Sequence, residues 1–106
     1  MENQVNDLNV LLADLNVFYR KLQNYHWNII GKDFFTIHEK LEEYYDEINE
    51  QIDEIAEHIL MLGGEPLGTM QDYLNTTCIK EAKNEKIKDD IMFENVIKDL
   101  ETLLKK

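Results

Sequence analysis

The sequence predicts an all-α protein: a bundle of long helices in one domain over residues 1–106. The chain has 106 residues, the size of one ordinary domain. It contains one proline and four glycines, so long stretches carry no helix breaker. Apolar residues recur at steps of three and four through most of the chain, which is the spacing of one helix face.

The first helix is expected over about residues 4–30. Its apolar stripe consists of Val5, Leu8, Leu12, Leu15, Tyr19, Leu22 and Ile29. His26 fills the widest step of this stripe, so it faces the core. A lone histidine there is more often a hydrogen-bonded core residue than a metal ligand, and both interpretations stay open at this point.

The second helix is expected over about residues 33–62, with Asp33 as a plausible N-cap. Gly63 and Gly64, with Pro66 two residues further on, form a strong stop for the helix. The apolar stripe of this helix is Ile37, Leu41, Tyr44 or Tyr45, Ile48, Ile52, Ile55, Ile59 and Leu62. Because the link between the first two helices is short, they should pack as an antiparallel hairpin.

The remaining chain predicts a connector followed by one more long helix. Within the connector, residues 65–83, Thr69 and Asp72 have the spacing that starts a short helix at about 70–75. A third long helix is expected over about 84–105. Its stripe is Ile87, Ile91, Val96, Ile97, Leu100, Leu103 and Leu104.

Charge and composition exclude several classes of function. With 22 acidic and 11 basic residues, the net charge of −11 disfavours a nucleic acid backbone as a partner and favours cations. A single cysteine, Cys78, excludes an internal disulfide framework, and we expect it to be a small buried side chain. There is no membrane-spanning apolar run and no signal peptide pattern, so a soluble cytoplasmic protein is expected.

Four polar residues of the second helix have the spacing of metal ligands. At about 100° per residue, His38, Glu42, Asp53 and Glu57 fall within one sector of about 100°. Glu42 and Asp53 are nevertheless roughly 16 Å apart along the axis, whereas metal–ligand bonds are about 2 Å long. One helix therefore offers two half-sites, each with i, i+4 spacing.

A symmetric pairing would complete both half-sites. The residue numbers of His38 and Glu57 add to 95, as do those of Glu42 and Asp53. Two antiparallel copies of the helix, related by a two-fold axis between residues 47 and 48, would therefore place each residue opposite its counterpart. The alternative interpretation is a solvated acidic face, because residues 32–62 carry ten acidic side chains and two lysines.

His26 strengthens the metal interpretation, because the hairpin brings it close to His38. Two imidazoles with carboxylates suit a divalent first-row metal, with iron preferred over zinc and manganese. The E-x-x-H pairs of ordinary di-iron bundles are absent from the chain, which favours a centre between subunits over one within a single chain.

At these residues the sequence resembles the miniferritins known as Dps, the DNA-binding proteins from starved cells. The resemblance is dense over residues 8–81. The segments that carry it are residues 25–28 (YHWN), 34–39 (FFTIHE), 53–57 (DEIAE), 62–67 (LGGEPL) and 69–74 (TMQDYL).

The resemblance implies a ferritin-like four-helix subunit in a hollow cage of twelve copies that oxidises Fe(II), preferably with hydrogen peroxide, and stores Fe(III) mineral. It also implies ferroxidase centres between two-fold-related subunits. One subunit would supply His26, His38 and Glu42, and the other would supply Asp53 and Glu57. Trp27 would pack near the centre, although a core aromatic at the end of the helix is an equally good interpretation.

Three departures from the family pattern qualify these expectations. The family usually has aspartate at the position of Glu42, and the lysine-rich N-terminal tail of some members is missing. Family members also continue beyond Lys106 for roughly another helix, so we expect a bundle that lacks the fourth helix and is completed by oligomerisation. The iron-oxidising interpretation therefore competes with a non-catalytic helical assembly module, and a DNA-compacting role is the weakest of the three.

The missing helix leads to one more expectation. Three apolar stripes would leave a groove, and a second copy of the chain is the nearest source of an apolar helix. We expect third helices to be exchanged or packed between subunits, in at least a dimer, through a connector that contains Gly68.

Overall fold

The computed structural model describes residues 2–105 and is dominated by helix. Two long helices, α1 and α2, form a hairpin, and a short helix α3 and a third long helix α4 pack onto it. In chain order the elements are α1 (Glu2–Asn28), β1 (Ile29–Ile30), α2 (Phe34–Met61), α3 (Met70–Thr76), β2 (Ile87–Lys88) and α4 (Asp89–Leu104). The predicted all-α class is confirmed, with one short strand pair added.

Most of the core comes from α1, whose stripe packs along the full length of α2. The buried apolar residues of α1 are Leu12, Ala13, Leu15, Val17, Phe18, Leu22 and Tyr25. In α2 only Leu41 and Ile59 are fully buried. The rest of its surface, including its acidic sector, stays accessible.

The end of α2 follows the glycine pattern expected from the sequence. Gly63 has a positive φ of 82°, and the backbone N–H of Gly64 donates to the carbonyl of Ile59 at 3.0 Å. A Cβ at Gly64 would lie 2.7 Å from the Val5 side chain, so the close approach to α1 requires glycine there. This turn fixes the far end of the hairpin.

The start of α2 corrects the expected cap. Asp33 occupies the N-cap position, but its side chain makes no capping hydrogen bond. Its backbone carbonyl accepts from the N–H of Ile37 at 3.0 Å instead. By contrast, the expected cap of α3 is present, because the Thr69 hydroxyl accepts from the backbone N–H of Asp72 at 3.1 Å.

The third long helix, expected over 84–105, begins only at Asp89. The preceding residues, Ile87 and Lys88, pair in parallel with Ile29 and Ile30 instead of continuing the helix. This pairing ties the start of α4 to the α1–α2 turn. There, Gly31 has a positive φ of 153°, and a Cβ on it would lie 2.5 Å from the Asp89 carboxylate.

The packed face of α4 also differs from the predicted stripe. Of the predicted stripe, Ile87, Val96 and Leu103 pack against the core. Ile91, Ile97, Leu100 and Leu104 are exposed, and Met92 and Asp99 are buried instead. The buried Asp99 has a distant partner: Lys21 Nζ of α1 lies 2.8 Å from Asp99 Oδ2, and both side chains are almost fully buried. A buried charge needs such a partner, so the pair allows Asp99 to lie on the inward face together with Met92, Val96 and Leu103.

Candidate metal centre

The hairpin brings His26 and His38 into direct contact. His26 lies in the last turn of α1 and is buried, and His38 lies near the start of α2. Their rings stack with centroids 3.5 Å apart and planes 11° apart. The contact follows from the sequence, because the short link folds the end of α1 back against the beginning of α2.

A reciprocal pair of hydrogen bonds holds the two rings. Nδ1 of His26 lies 2.6 Å from the backbone carbonyl of His38, and Nδ1 of His38 lies 2.6 Å from the carbonyl of His26. A carbonyl oxygen only accepts, so each Nδ1 carries the hydrogen and donates it. In the neutral rings the lone pair is therefore on Nε2, the arrangement typical of histidines that bind metals.

Glu42 adds a carboxylate beside this pair. Its Oε1 lies 3.6 Å from Nε2 of His26, and its side chain is 56% exposed. The nitrogen that carries the lone pair thus faces a carboxylate at the protein surface. The three side chains thus form one open cluster of two imidazoles and a carboxylate, the histidine half of the predicted ligand set.

The second half-site lies further along α2 and is fully exposed. Asp53 and Glu57 are close enough that the hydrogen bond the protonated Glu57 carboxyl donates to Asp53, followed by the negative charge of Asp53, raises the pKa of Glu57. Two carboxylates this close hold a shared proton more tightly, and a bound cation would relieve the same repulsion.

The structure brings together His26, His38 and Glu42, but it does not bring Asp53 and Glu57 to them. Within residues 2–105, no three histidine, cysteine or acidic side chains form a metal site in a single copy of the chain. The five predicted ligands therefore stand as two separate halves on the same molecule.

Aromatic side chains enclose the histidine half, an arrangement that the apolar pattern of the sequence did not predict. Phe34 stacks on His38 with centroids 5.0 Å apart, and Tyr45 lies edge-on to His26 at 5.4 Å. Tyr19 in turn lies edge-on to Tyr45 at 5.7 Å. The i, i+4 spacing of Phe34 and His38 on α2 was the available indication, because residues four apart share a helix face.

Burial, followed by the charges of Glu42 and Asp46, raises the pKa of the Tyr45 phenol. Tyr45 therefore stays protonated beside the half-site and adds no charge to it.

Two further residues with expected positions, Trp27 and Cys78, lie at the surface. Trp27 is 55% exposed, next to His26 in the chain. Cys78 is exposed, so the expectation of a buried cysteine is wrong. Its segment is anchored through its backbone, because Asp14, buried in α1, accepts from the N–H of Cys78 and from the hydroxyl of Thr77, both at 2.7 Å.

Comparison with known proteins identifies the family of this bundle. The model of the ferritin-like domain matches residues 5–106. The DNA protection during starvation protein 2 of Bacillus anthracis is 46% identical over 97 residues, which is 92% of this chain and 66% of that protein. The chain belongs to the ferritin-like family and is Dps-like.

Solved structures agree with this assignment. The Dps protein from Vibrio cholerae, described as a member of a broad superfamily of ferritin-like diiron-carboxylate proteins, has a TM-score of 0.93 and 39% identity. It is matched over 97% of this chain and 64% of its own. Dps from Listeria monocytogenes has a TM-score of 0.89 and 38% identity, over 92% of this chain and 64% of its own.

The Dps-like chain thus spans about two thirds of the length of these relatives. In the part of the chain that the structure describes, no helix combines the length and apolarity that a membrane crossing requires.

Proposed function

We propose that two copies of this chain bind and oxidise Fe(II) at centres between them. In each centre, one copy supplies His26, His38 and Glu42, and the other supplies Asp53 and Glu57. The observation that carries the proposal is the histidine pair, whose reciprocal Nδ1 hydrogen bonds direct both lone pairs to Nε2. Histidines that serve only the core have no need of a carboxylate 3.6 Å from that nitrogen.

The second helix is the element through which the copies would meet. An antiparallel pair of α2 helices, with the two-fold axis between residues 47 and 48, places each histidine half opposite an acidic half. Every such dimer contains two equivalent centres, roughly 22 Å apart at 1.5 Å per residue. A homodimer is thus the smallest unit that completes a site.

The ligand set favours the oxidised metal. Carboxylates stabilise Fe(III) more than Fe(II) because the added charge strengthens their attraction, so the site assists the loss of an electron. Two Fe(II) ions each give up one electron, and hydrogen peroxide takes both electrons with two protons to form two waters. Iron is the substrate, and the histidines hold it while the carboxylates neutralise the growing charge. The diiron-carboxylate description of the Vibrio cholerae relative supports this choice of metal.

Stoichiometric oxidation tests the activity. Under anaerobic conditions the protein should take up Fe(II), and added peroxide should then produce Fe(III) absorbance in a fast phase that saturates with the number of centres. Oxidation no faster than in protein-free buffer would contradict the proposal. It would favour a helical assembly module without catalysis.

We also propose that a second copy covers the exposed face of α4. Ile97, Leu100 and Leu104 are exposed, and the last two line an open groove between α1, α2 and α4. Packing or exchange of α4 between copies, through the connector that contains Gly68, would rebuild a four-helix bundle from two chains. Sedimentation velocity tests this, because a closed twelve-subunit mass or a monomer would contradict the exchange.

A further inference from the structure

Two large apolar side chains stand in solvent at opposite ends of α2. Phe35 is 83% exposed and Leu60 is 60% exposed. Phe35 precedes Asp53 by 18 residues and Leu60 follows Glu42 by 18 residues. Since 18 residues make about five full helical turns, each apolar side chain points in the same direction as a proposed ligand. The surface that carries the half-sites is therefore apolar at both of its ends.

The numbers of these two residues also match the proposed symmetry. Phe35 and Leu60 add to 95, the same value as the ligand pairs. In the antiparallel α2 pair, Phe35 of each copy therefore lies opposite Leu60 of the other. The contact forms twice per dimer, at ends roughly 38 Å apart at 1.5 Å per residue. A large aromatic ring against a branched aliphatic side chain is a typical interface contact.

The residues next to the proposed two-fold axis also form complementary pairs. Asp46 and Asn49 are both exposed and also add to 95, so a carboxylate that accepts lies opposite an amide that donates. Among these opposed pairs, like charges meet only where Glu42 faces Asp53, which is where iron would bind. Sliding the helices by one turn would separate Phe35 from Leu60 and remove these matches.

We propose that Phe35 and Leu60 form an apolar clasp at each end of the α2 pair, which sets its register and holds the two copies together before iron arrives. The inference rests on the α2 pairing proposed above. Without metal, the carboxylates of Glu42 and Asp53 face one another across the interface, with Glu57 close to Asp53 on the same helix. Their repulsion opposes association, and burial of the exposed Phe35 and Leu60 side chains offsets it.

Charge substitution in metal-free buffer with chelator tests the clasp. The variants are made in a Leu104→Asp background, which disrupts the contact proposed for α4 and leaves α2 pairing as the association measured. By sedimentation equilibrium, Phe35→Lys and Leu60→Asp should each raise the dimer dissociation constant by roughly 100-fold or more, because both ends are lost. Met61→Asp is the matched control. Met61 is 81% exposed and adjacent to Leu60 but points about 100° away, so dimerisation should be unchanged.

Mixing the Phe35→Lys and Leu60→Asp variants gives the most direct test of the clasp. A heterodimer of Phe35→Lys with Leu60→Asp has one native end and one end where lysine meets aspartate, so the mixture should dimerise when neither component does. The exchanged double variant, Phe35→Leu with Leu60→Phe, should dimerise like the parent. A mixture as monomeric as its components, or single variants that dimerise normally, would overturn the clasp.

The outcome separates this inference from the proposed function. Asp53→Asn with Glu57→Gln should keep the metal-free dimer while losing iron, because these residues lie between the clasps and repel one another. A dimer that binds iron and whose dissociation constant does not change on substitution of Phe35 or Leu60 would overturn only the clasp. Iron binding by a monomer would overturn the intersubunit centre itself.

Discussion

The two proposed half-sites, one at the α1–α2 contact and one further along α2, differ in how firmly the chain positions their side chains. At the histidine end, two stacked rings are fixed by reciprocal hydrogen bonds and enclosed by Phe34 and Tyr45. At the acidic end, Asp53 and Glu57 stand in solvent and interact mainly with each other. A single copy thus carries one prearranged half, whose histidine rings are held in place, and one adaptable half, whose exposed carboxylates are free to move. Symmetry between copies would bring the unlike halves together.

Metal-dependent stability should show that both halves are needed. At a hundred times its dissociation constant, Fe(II) or Zn(II) should add about 2.7 kcal/mol to the free energy of unfolding, because it binds only the folded dimer. The double variant His38→Ala with Asp53→Asn should lose this gain entirely. Urea unfolding under anaerobic conditions measures it.

The control for that experiment is His58→Ala. His58 is exposed on α2 beside Glu57 but points about 100° away from it, so the metal effect should persist. Equal stability of the parent protein with and without metal would remove the basis for the clustered ligands.

Without metal, the two halves should respond differently to substitution. His26→Ala should cost about 2 to 4 kcal/mol of unfolding free energy, because it empties a buried position and removes a hydrogen bond to α2. Asp53→Asn should stay within about 0.5 kcal/mol, as is usual for an exposed side chain. Chemical denaturation in chelator compares them, and equal losses would contradict the division into a prearranged and an adaptable half.

A modest change in metal affinity is expected at Glu42, which faces the histidine half from the surface. Glu42→Asp keeps the charge and shortens the side chain by one methylene, so metal affinity should change by less than about tenfold, or about 1.4 kcal/mol. Glu42→Gln removes the charge and should weaken binding more. Calorimetric titration with Zn(II) ranks the two variants, and the reverse order would show that position matters more than charge.

The contact between His26 and His38 could be predicted from the sequence because its geometry is local. Because only five residues link α1 and α2, the end of α1 and the start of α2 must lie close together, and His26 and His38 are on these two segments. The separation of Glu42 from Asp53 could also be predicted, since the rise per residue of a helix keeps them apart whatever the tertiary fold. The ring stacking and the choice of Nδ1 as donor depend on tertiary contacts, so periodicity could not show them.

The predicted start of α4 and part of its predicted inward face were wrong, because contacts with residues distant in the chain determine them. Its start at Asp89 reflects the pairing of Ile87 and Lys88 with the turn after α1. Its inward face includes Asp99, which an apolar pattern assigns to solvent. Only its distant partner, Lys21, makes burial of that charge tolerable.

Complementation between half-site variants tests the central claim most directly. One variant combines His38→Ala with Glu42→Gln, and the other combines Asp53→Asn with Glu57→Gln. Each alone should show no fast oxidation of Fe(II) by peroxide. After the two are unfolded and refolded together, about a quarter of the parent's centres should return, because half the dimers are mixed and each mixed dimer holds one intact centre. An inactive mixture containing heterodimers, or full activity in either variant alone, would contradict a centre shared between two copies.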